Sequence, residues 1–278
     1  MSPKKIFLLM LLFGAFLLTY FPVIYGLLKA WAHSDEYSHG FFIVPIAVYI
    51  IWAKKERMAE MPVNSSCSGL GLIVFSLLLY IAAHFAEILT VVSLSMVLFL
   101  AGVVLFFYGR QILKELSFPL FLLLFMIPIP SQIFSIVTVP LQLFVSQLSV
   151  MAASLIGVPV FREGNVIHMP TRTLEVVQAC SGLRSLISLL TLGIIIAYFT
   201  LRSNLLRSLL FVSGVPVAIF VNIVRVLVMI LAFHYFDIDL TTDATHTMYG
   251  LVIFILAMAI LMGLKGIFSF WDSSKTLK

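Results

Sequence analysis

Charged residues are scarce in this sequence. Asp, Glu, Lys and Arg make up 10% of the 278 residues, whereas a soluble domain usually carries about 25%. Hydrophobic residues make up 62%, and the mean hydropathy is +1.15. Water would not solvate the surface of such a chain. We therefore exclude a soluble globular protein and expect most of the chain to face lipid.

Long apolar runs divide the chain into segments of membrane-spanning length, which is roughly 20 residues per helix. The run after Lys4 and Lys5 stays apolar for about 25 residues, which is too long for the core of a signal peptide, so we expect a retained first helix. The sequence predicts an all-α polytopic membrane protein with about eight transmembrane helices, forming a single integral-membrane domain over residues 1–278. The predicted spans are 6–30, 41–53, 69–88, 91–109, 116–131, 182–201, 207–234 and 247–268.

Basic residues concentrate on one side of this topology. With the N-terminus inside, the inner loops hold 12 of the 17 Lys and Arg residues, and the outer segments hold only Arg162 and Arg172. Positive charge marks the cytoplasmic side, so we expect both termini in the cytoplasm. The net charge of +5 then reflects orientation and not nucleic-acid binding. The inner residues are Lys4, Lys5, Lys54, Lys55, Arg57, Arg110, Lys114, Arg202, Arg207, Lys265, Lys275 and Lys278.

The region between Lys114 and Ser181 must contain an odd number of crossings. Lys114 lies inside, and the next span, 182–201, has to begin outside because it ends inside at Arg202 and Arg207. The segment 116–131 supplies one crossing and ends at an Ile-Pro-Ile-Pro run. The segment 133–157 mixes Gln and Ser with apolar residues. We read it as an amphipathic helix along the outer interface, with a ninth crossing as the alternative. Residues 158–179 carry turn signals between β-branched residues and predict a small periplasmic hairpin.

Cysteine is also scarce, with only Cys67 and Cys180. The topology places them on opposite sides of the membrane, so we predict no disulfide. Cys180 lies in ACSGLRSL, where the hairpin ends and a span begins. The first turn of a helix favours a thiolate through its dipole and free N–H groups. A buried structural cysteine is the alternative, but the aqueous edge favours a nucleophile. Cys67 has no such surroundings.

Arg225 is the sharpest anomaly among the charged residues. It lies about nine residues from the outer end of its predicted helix, which is roughly 14 Å deep. A charge at that depth is costly and is usually functional. Asn222 lies one turn earlier on the same face. The functional interpretation is an oxyanion stabiliser, and the alternative is a buried structural ion pair, although no Asp or Glu lies in the middle of a confident span.

His246 lies at the outer end of the last span, three residues from Asp243, which could orient it. A histidine there is suited to general acid–base catalysis, or is simply an exposed loop residue. Arg184 follows Cys180 by four residues and would share a helix face with it. It is a candidate to hold the thiolate or a substrate carboxylate, or is an interfacial arginine.

The early outer loop HSDEYSHGFFIVP groups two histidines with two carboxylates. Such a group can bind metal, but the spacing matches no recognisable ligand set. A substrate-facing loop or a helix cap fits better. We expect no metal and no cofactor.

Three pieces of the sequence together resemble the exosortase/archaeosortase family: ACSGLRSL, the later NIVRV, and the His of THTMYG. The segments YSHGFFIVP and GNVIHMP also look like that family's pattern, so the resemblance runs from about Tyr37 to about Gly250. It implies a catalytic trio of Cys180 as nucleophile, Arg225 as oxyanion stabiliser and His246 as general acid and base. Gln178 departs from the acidic residue often expected near the cysteine.

The resemblance also implies a function. A bacterial exosortase of the inner membrane would be a cysteine transpeptidase or protease that cleaves C-terminal PEP-CTERM-type sorting signals of exported proteins at the periplasmic face. A thioester would form, and water, or a lipid or glycan amine, would release it. Some members carry an additional soluble domain, so a separate accessory periplasmic protein is a candidate partner besides the membrane-anchored substrates.

Two other classes of function remain open from the residues themselves. The chain could be a non-enzymatic component of exopolysaccharide or protein export, in which case Cys180 should be dispensable. It could also be an anion transporter with Arg225 as the anion site, which would predict flux in vesicles. No internal repeat supports a transporter by eye.

Overall fold

The computed structural model describes residues 3–34, 36–170, 172–175, 183–240 and 243–274. Within these residues the chain is almost entirely helical, with one small β-sheet. It divides into two compact units, an N-terminal unit, Met1–Pro130, and a C-terminal unit, Ser131–Lys278.

The N-terminal unit consists of helices and one 3₁₀ turn. Helices α4 and α5 form its closest pair, because glycines on α4 and α5 let the backbones approach. A Cβ atom at Gly69 would overlap the backbone of Phe106, and one at Gly102 would lie 2.9 Å from Ile73 Cγ1. The helices are α1 (Pro3–His33), α2 (Gly40–Ala53), α3 (Lys55–Ala59), α4 (Cys67–Phe85), α5 (Leu89–Phe107) and α6 (Arg110–Leu122), which continues as a 3₁₀ turn (Leu123–Met126).

Helix α6 and its 3₁₀ turn run the full length of α2. At one end, Glu115 pairs with Lys54 at 3.1 Å and with Arg57 at 2.9 Å. At the other end, His39 Nε2 lies 3.0 Å from the carbonyl oxygen of Phe125. These two sets of contacts sit at opposite ends of a 14-residue helix, about 21 Å apart. Helix α2 and the segment formed by α6 and its 3₁₀ turn are therefore antiparallel neighbours of similar length.

The C-terminal unit packs four helices with the sheet. Helix α9 is central, because it contacts α7, α8 and α10. It ends at Asp237, which adopts a left-handed conformation with φ of 51°. The N–H of Ile238 then donates to the carbonyl of Ala232, a Schellman-type ending. The elements are α7 (Ser131–Leu155), β1 (Phe161–Glu163), β2 (Val166–His168), β3 (Thr173–Glu175), α8 (Leu183–Thr200), α9 (Asn204–Phe236) and α10 (Asp243–Ser274).

The sheet confirms and extends the predicted hairpin. Strands β1 and β2 are antiparallel, with Arg162 opposite Ile167, and β3 adds to β2 with Leu174 opposite Ile167. Gly164, at φ of 62°, supplies the left-handed residue of the first turn. The N–H of Met169 donates to the carbonyl of Arg172 at 2.8 Å and closes the second turn.

Two apolar clusters hold α9 in the C-terminal unit. One joins its first half to α8 and α10, and includes Leu189, Leu210 and Leu261. The other joins its second half to α7 and the sheet, and includes Ile167 and Ile230. The sheet therefore lies beside the end of α9 that leads to Asp237. At the opposite end of α9, the N–H of Ser203 donates to Asp272 near the end of α10 at 3.2 Å.

Among the residues that the structure describes, six helices have the length and apolar composition of membrane spans, and two more apolar helices are shorter. Large apolar side chains are exposed on them, as on Leu18, Phe42 and Phe85, which a lipid-facing surface explains. The prediction of a polytopic helical membrane protein is confirmed at this level. The six are Phe13–His33, Cys67–Phe85, Leu89–Phe107, Ser131–Leu155, Asn204–Phe236 and Met248–Asp272, and the shorter two are Gly40–Ala53 and Ser185–Thr200.

The predicted span 116–131 differs most from the structure. Its helix ends at Leu122 and tightens into a 3₁₀ turn before the Ile-Pro-Ile-Pro run, so it is not among the six. Proline cannot donate a helical hydrogen bond, and the first two turns of α6 are rich in charge. By contrast α7, which was predicted to be interfacial, has the length and composition of a span, as its alternative interpretation required.

Candidate active site

Arg225 is buried in the middle of α9, with 5% of its surface exposed. It lies eleven residues before Phe236, the last residue of the helix, which is about 17 Å along the helix axis. The predicted distance from this end was slightly smaller, because the helix is longer than the sequence indicated. Burial of a permanent charge is costly unless its environment stabilises it, which marks this position as special.

The guanidinium of Arg225 packs against α10 at Gly250. A Cβ atom at Gly250 would lie 3.6 Å from Nη2 and 3.9 Å from Cζ of Arg225. One turn of the neighbouring helix thus presents bare backbone to the charged group. Tyr249 also holds α10 close to α9 at this point, because its hydroxyl donates to the carbonyl oxygen of Arg225 at 3.0 Å.

Asn222 lies one turn before Arg225 and is also buried, with 4% exposed. It lines a small cleft where α8, α9 and α10 meet, together with Ser185 near the start of α8 and Ile253 on α10. The beginning of α8 therefore lies at the same level as Asn222. Asn222 and Arg225 were predicted to lie on one face of the helix, and the burial of both side chains is consistent with that prediction.

His246 belongs to the first turns of α10, which begins at Asp243. The alternative interpretation of His246 as a loop residue is therefore wrong, because its backbone is helical. By helical register, residue 246 lies one turn before Gly250, where the Arg225 guanidinium packs. Asp243 is the first residue of the helix, three positions earlier.

Cys180 lies outside the described residues, and its place in a first helical turn stays a prediction. Helix α8 begins at Leu183, three residues later. Arg184 is the second residue of α8, and its expected proximity to Cys180 stays a prediction too. Ser185, the next residue, faces the cleft beside Asn222.

The early outer loop has a structural role in the N-terminal unit. The carbonyl oxygens of the 3₁₀ turn and the proline run lack helical partners, and side chains from elsewhere bind them. The Tyr37 hydroxyl donates to the carbonyl oxygen of Ile129 at 3.5 Å and accepts from the N–H of the same residue at 3.1 Å. His39 lies beside the Phe125 carbonyl, and burial lowers the pKa of its imidazole. Trp31 Nε1–H donates to Met126 at 2.9 Å, and Thr90 donates to Pro128 at 2.6 Å.

Sequence reasoning missed Tyr249 and Gly250 as parts of the site. The available signal was a small residue one turn after His246 on the same helix face. On its own such a glycine has many explanations. Its meaning depends on the buried arginine of α9 that lies opposite, and that pairing between distant segments is not visible in the order of residues.

The fold and these contacts define a polytopic helical membrane protein with a buried arginine that packs against α10, one turn from a cleft where three helices meet. A model of the transmembrane exosortase family matches residues 31–263, and the chain belongs to that family. Membership implies a membrane sorting transpeptidase that uses a cysteine and acts on proteins bearing sorting signals. No curated protein and no solved structure matches the chain.

Proposed function

We propose that this chain cleaves C-terminal PEP-CTERM-type sorting signals of exported proteins through a thioester on Cys180. Arg225 stabilises the oxyanion, and His246 serves as general acid and base. The observation that carries this proposal is the packing of the buried Arg225 guanidinium against Gly250, one helical turn from His246. The cleft in which Ser185, near the start of α8, lies beside Asn222 supports a position of Cys180 close to this site.

The reaction has two steps, formation of the thioester and its release. The Cys180 thiolate attacks the scissile carbonyl carbon, a C–S bond forms, and the oxyanion is stabilised by the Arg225 guanidinium. The C–N bond then breaks, and the leaving amine takes a proton from the imidazolium of His246. In the second step water or an amine attacks the thioester, gives its proton to His246, and restores the thiolate. Asn222 donates a further hydrogen bond, while Arg184 and Asp243 support the thiolate and the imidazole.

For the topology we propose eight crossings, with both termini in the cytoplasm of a bacterium and the site at the periplasmic face of its inner membrane. The parity needs one crossing between Arg110 and the sheet. Contacts along the whole of α2 support α6 and its 3₁₀ turn as that crossing. Helix α7 is long and apolar enough to span the membrane, but this parity places it along the outer interface. The contact of its central residue Ser146 with Gly164 of the sheet supports that placement.

The partners follow from this placement. The substrate is a membrane-anchored protein whose tail helix lies against the lipid-facing helices, and its proline-rich motif meets Cys180 at the interface. A separate accessory periplasmic protein completes the system if a soluble part is needed. Either water or an amine of a lipid or glycan accepts the acyl group.

The experiment is a gel-shift assay in membranes that contain the protein and a tagged PEP-CTERM substrate from the same genome. We expect the wild type to shorten the substrate and Cys180→Ala to leave it intact at equal membrane abundance. Cys67→Ala is the matched control, because Cys67 is exposed at the other predicted face, and it should process normally. Processing by Cys180→Ala would overturn the proposal and favour an export component without thiol chemistry.

A further inference from the structure

The turn between β2 and β3 is tied to the connection between α9 and α10 by an ion pair. Arg172 Nη1 lies 3.1 Å from Asp239 Oδ2. The Arg172 guanidinium also lies over the ring of Phe233, 5.2 Å from its centroid. The aromatic face holds the guanidinium in one orientation, so this pair is better defined than an isolated surface ion pair.

Asp239 extends this contact to the start of α10. Its main-chain carbonyl oxygen accepts a hydrogen bond from the hydroxyl of Thr245 at 3.2 Å. Thr245 is adjacent to His246 in the first turns of the helix. Leu240, the residue after Asp239, packs on the apolar cluster that includes Ile167 and Leu174 of the sheet.

The two segments that meet here are the ones that lead to the predicted catalytic residues. Arg172 comes directly before strand β3, and this strand ends at Glu175, five residues before Cys180. Asp239 lies seven residues before His246. A contact between two chain segments fixes their separation, and catalysis loses about 10²-fold when a reacting group shifts by about 1 Å.

We infer that Arg172 and Asp239 form a positioning clasp that sets the distance between Cys180 and His246. This inference rests on the proposed function of those two residues. Neither member of the clasp touches the substrate. The clasp acts by holding the turn before β3 against the connection that leads into α10.

The stability of the protein should depend little on this pair, because partly exposed ion pairs contribute little to unfolding free energy. Catalysis should depend on it strongly. The clasp therefore predicts variants that accumulate normally and process poorly. Arg162 offers a matched control. It lies on β1 of the same sheet and donates to the carbonyl of Gly164 at 2.8 Å, on a different edge from the clasp.

The test measures processing of the tagged substrate and alkylation of Cys180 across pH, in a Cys67→Ser background that leaves one thiol. We expect Arg172→Ala and Asp239→Asn to process at least about tenfold more slowly, and Arg162→Ala to stay within about twofold of the background. The swapped pair, Arg172→Asp with Asp239→Arg, should recover much of the rate.

The alkylation profile separates positioning from exposure. A thiolate loses stabilisation when a nearby imidazolium moves away, so the midpoint of alkylation should rise by about one pH unit in Arg172→Ala. The plateau rate at high pH reports only access to the thiol and should be unchanged. Recovery of the midpoint in the swapped pair would support the clasp.

Normal processing by both single variants would overturn the clasp, as would slow processing with an unshifted midpoint and no recovery in the swapped pair. These outcomes differ from a failure of the proposed function. In that case Cys180→Ala would process the substrate, whatever the clasp variants do. Equal abundance of each variant in the membrane is the condition for comparing rates.

Discussion

The two units bury polar groups in different ways. In the N-terminal unit, the side chains of Trp31, His39 and Thr90 reach the main-chain carbonyls that the 3₁₀ turn and the proline run leave open. Each of these groups can be buried as a neutral species. In the C-terminal unit, α9 buries a permanent charge at Arg225, and α10 supplies a glycine where the charge packs.

This difference separates scaffold from chemistry. Neutral donors paired with open carbonyls satisfy a need that the fold itself creates. A buried guanidinium satisfies no such need and costs free energy, so its presence requires another reason. Both regions match the family's sequence pattern, and the buried charge of the second is the feature that supports the proposed catalytic site there. The following predictions test that division.

The largest effect is expected at Arg225. Removal of the guanidinium in Arg225→Ala should slow substrate processing by about 10²–10³-fold, the usual cost of losing an oxyanion donor. Arg225→Lys keeps the charge but lacks the planar fork, and should remain strongly impaired. The measurement is the processing rate per folded protein in membranes. Processing near the wild-type rate by either variant would assign Arg225 to the scaffold.

A graded effect is expected at Gly250, where the space beside the guanidinium is limited. A Cβ atom would make an ordinary contact with Arg225 at 3.6 Å, so Gly250→Ala should process nearly normally. Gly250→Leu should displace the guanidinium and slow processing by about tenfold or more. Gly263→Leu is the control on the same helix, because nothing lies within 4 Å of its Cβ position. Equal rates for the two leucine variants would contradict the assigned contact.

In the N-terminal unit the expected effect is on stability instead. Gly69→Ala would force its Cβ into the Phe106 backbone, so it should destabilise the protein by about 1–3 kcal/mol. Gly71→Ala, two residues away with open space around it, should not. Thermal unfolding in detergent measures both. The processing rate per folded molecule should be unchanged in Gly69→Ala. A loss of rate without a loss of stability would contradict a purely structural role of the N-terminal unit.

The smallest effect is expected at His39. Burial lowers its pKa, so the unfolded chain binds the proton more tightly than the folded one. Stability from neutral His39 is therefore full above the unfolded pKa of about 6.5 and is lost as pH falls below it. The melting temperature should fall between pH 7 and pH 5, and fall less in His39→Gln. If the melting temperatures of the wild type and His39→Gln fall equally with pH, His39 is not the source of the pH dependence.

The helices were largely predictable, because apolar runs of spanning length determine them. Helix α9 was predicted over 207–234 and occupies Asn204–Phe236. The segment 116–131 was less predictable, since its amphipathic first turns and its prolines give a short helix and a 3₁₀ turn. Contacts with α2, distant in sequence, define its path.

The candidate site was predictable as a set of residues and not as an arrangement. Arg225 was identifiable from the cost of its charge at depth, and His246 only through the family resemblance. The contact between Arg225 and Gly250 depends on how α9 and α10 pack, which a single sequence does not encode locally. The clasp between Arg172 and Asp239 joins segments about 67 residues apart and left no pattern in either.

The most direct test of the account is to trap the thioester. Hydroxylamine attacks a thioester and leaves a hydroxamate on the acyl group, so it would label the new C-terminus of a processed substrate. Mass spectrometry of that terminus should show the hydroxamate with wild-type protein and Cys67→Ala, and no cleaved product with Cys180→Ala. A cleaved substrate with no hydroxamate, formed equally by Cys180→Ala, would contradict the thiol mechanism.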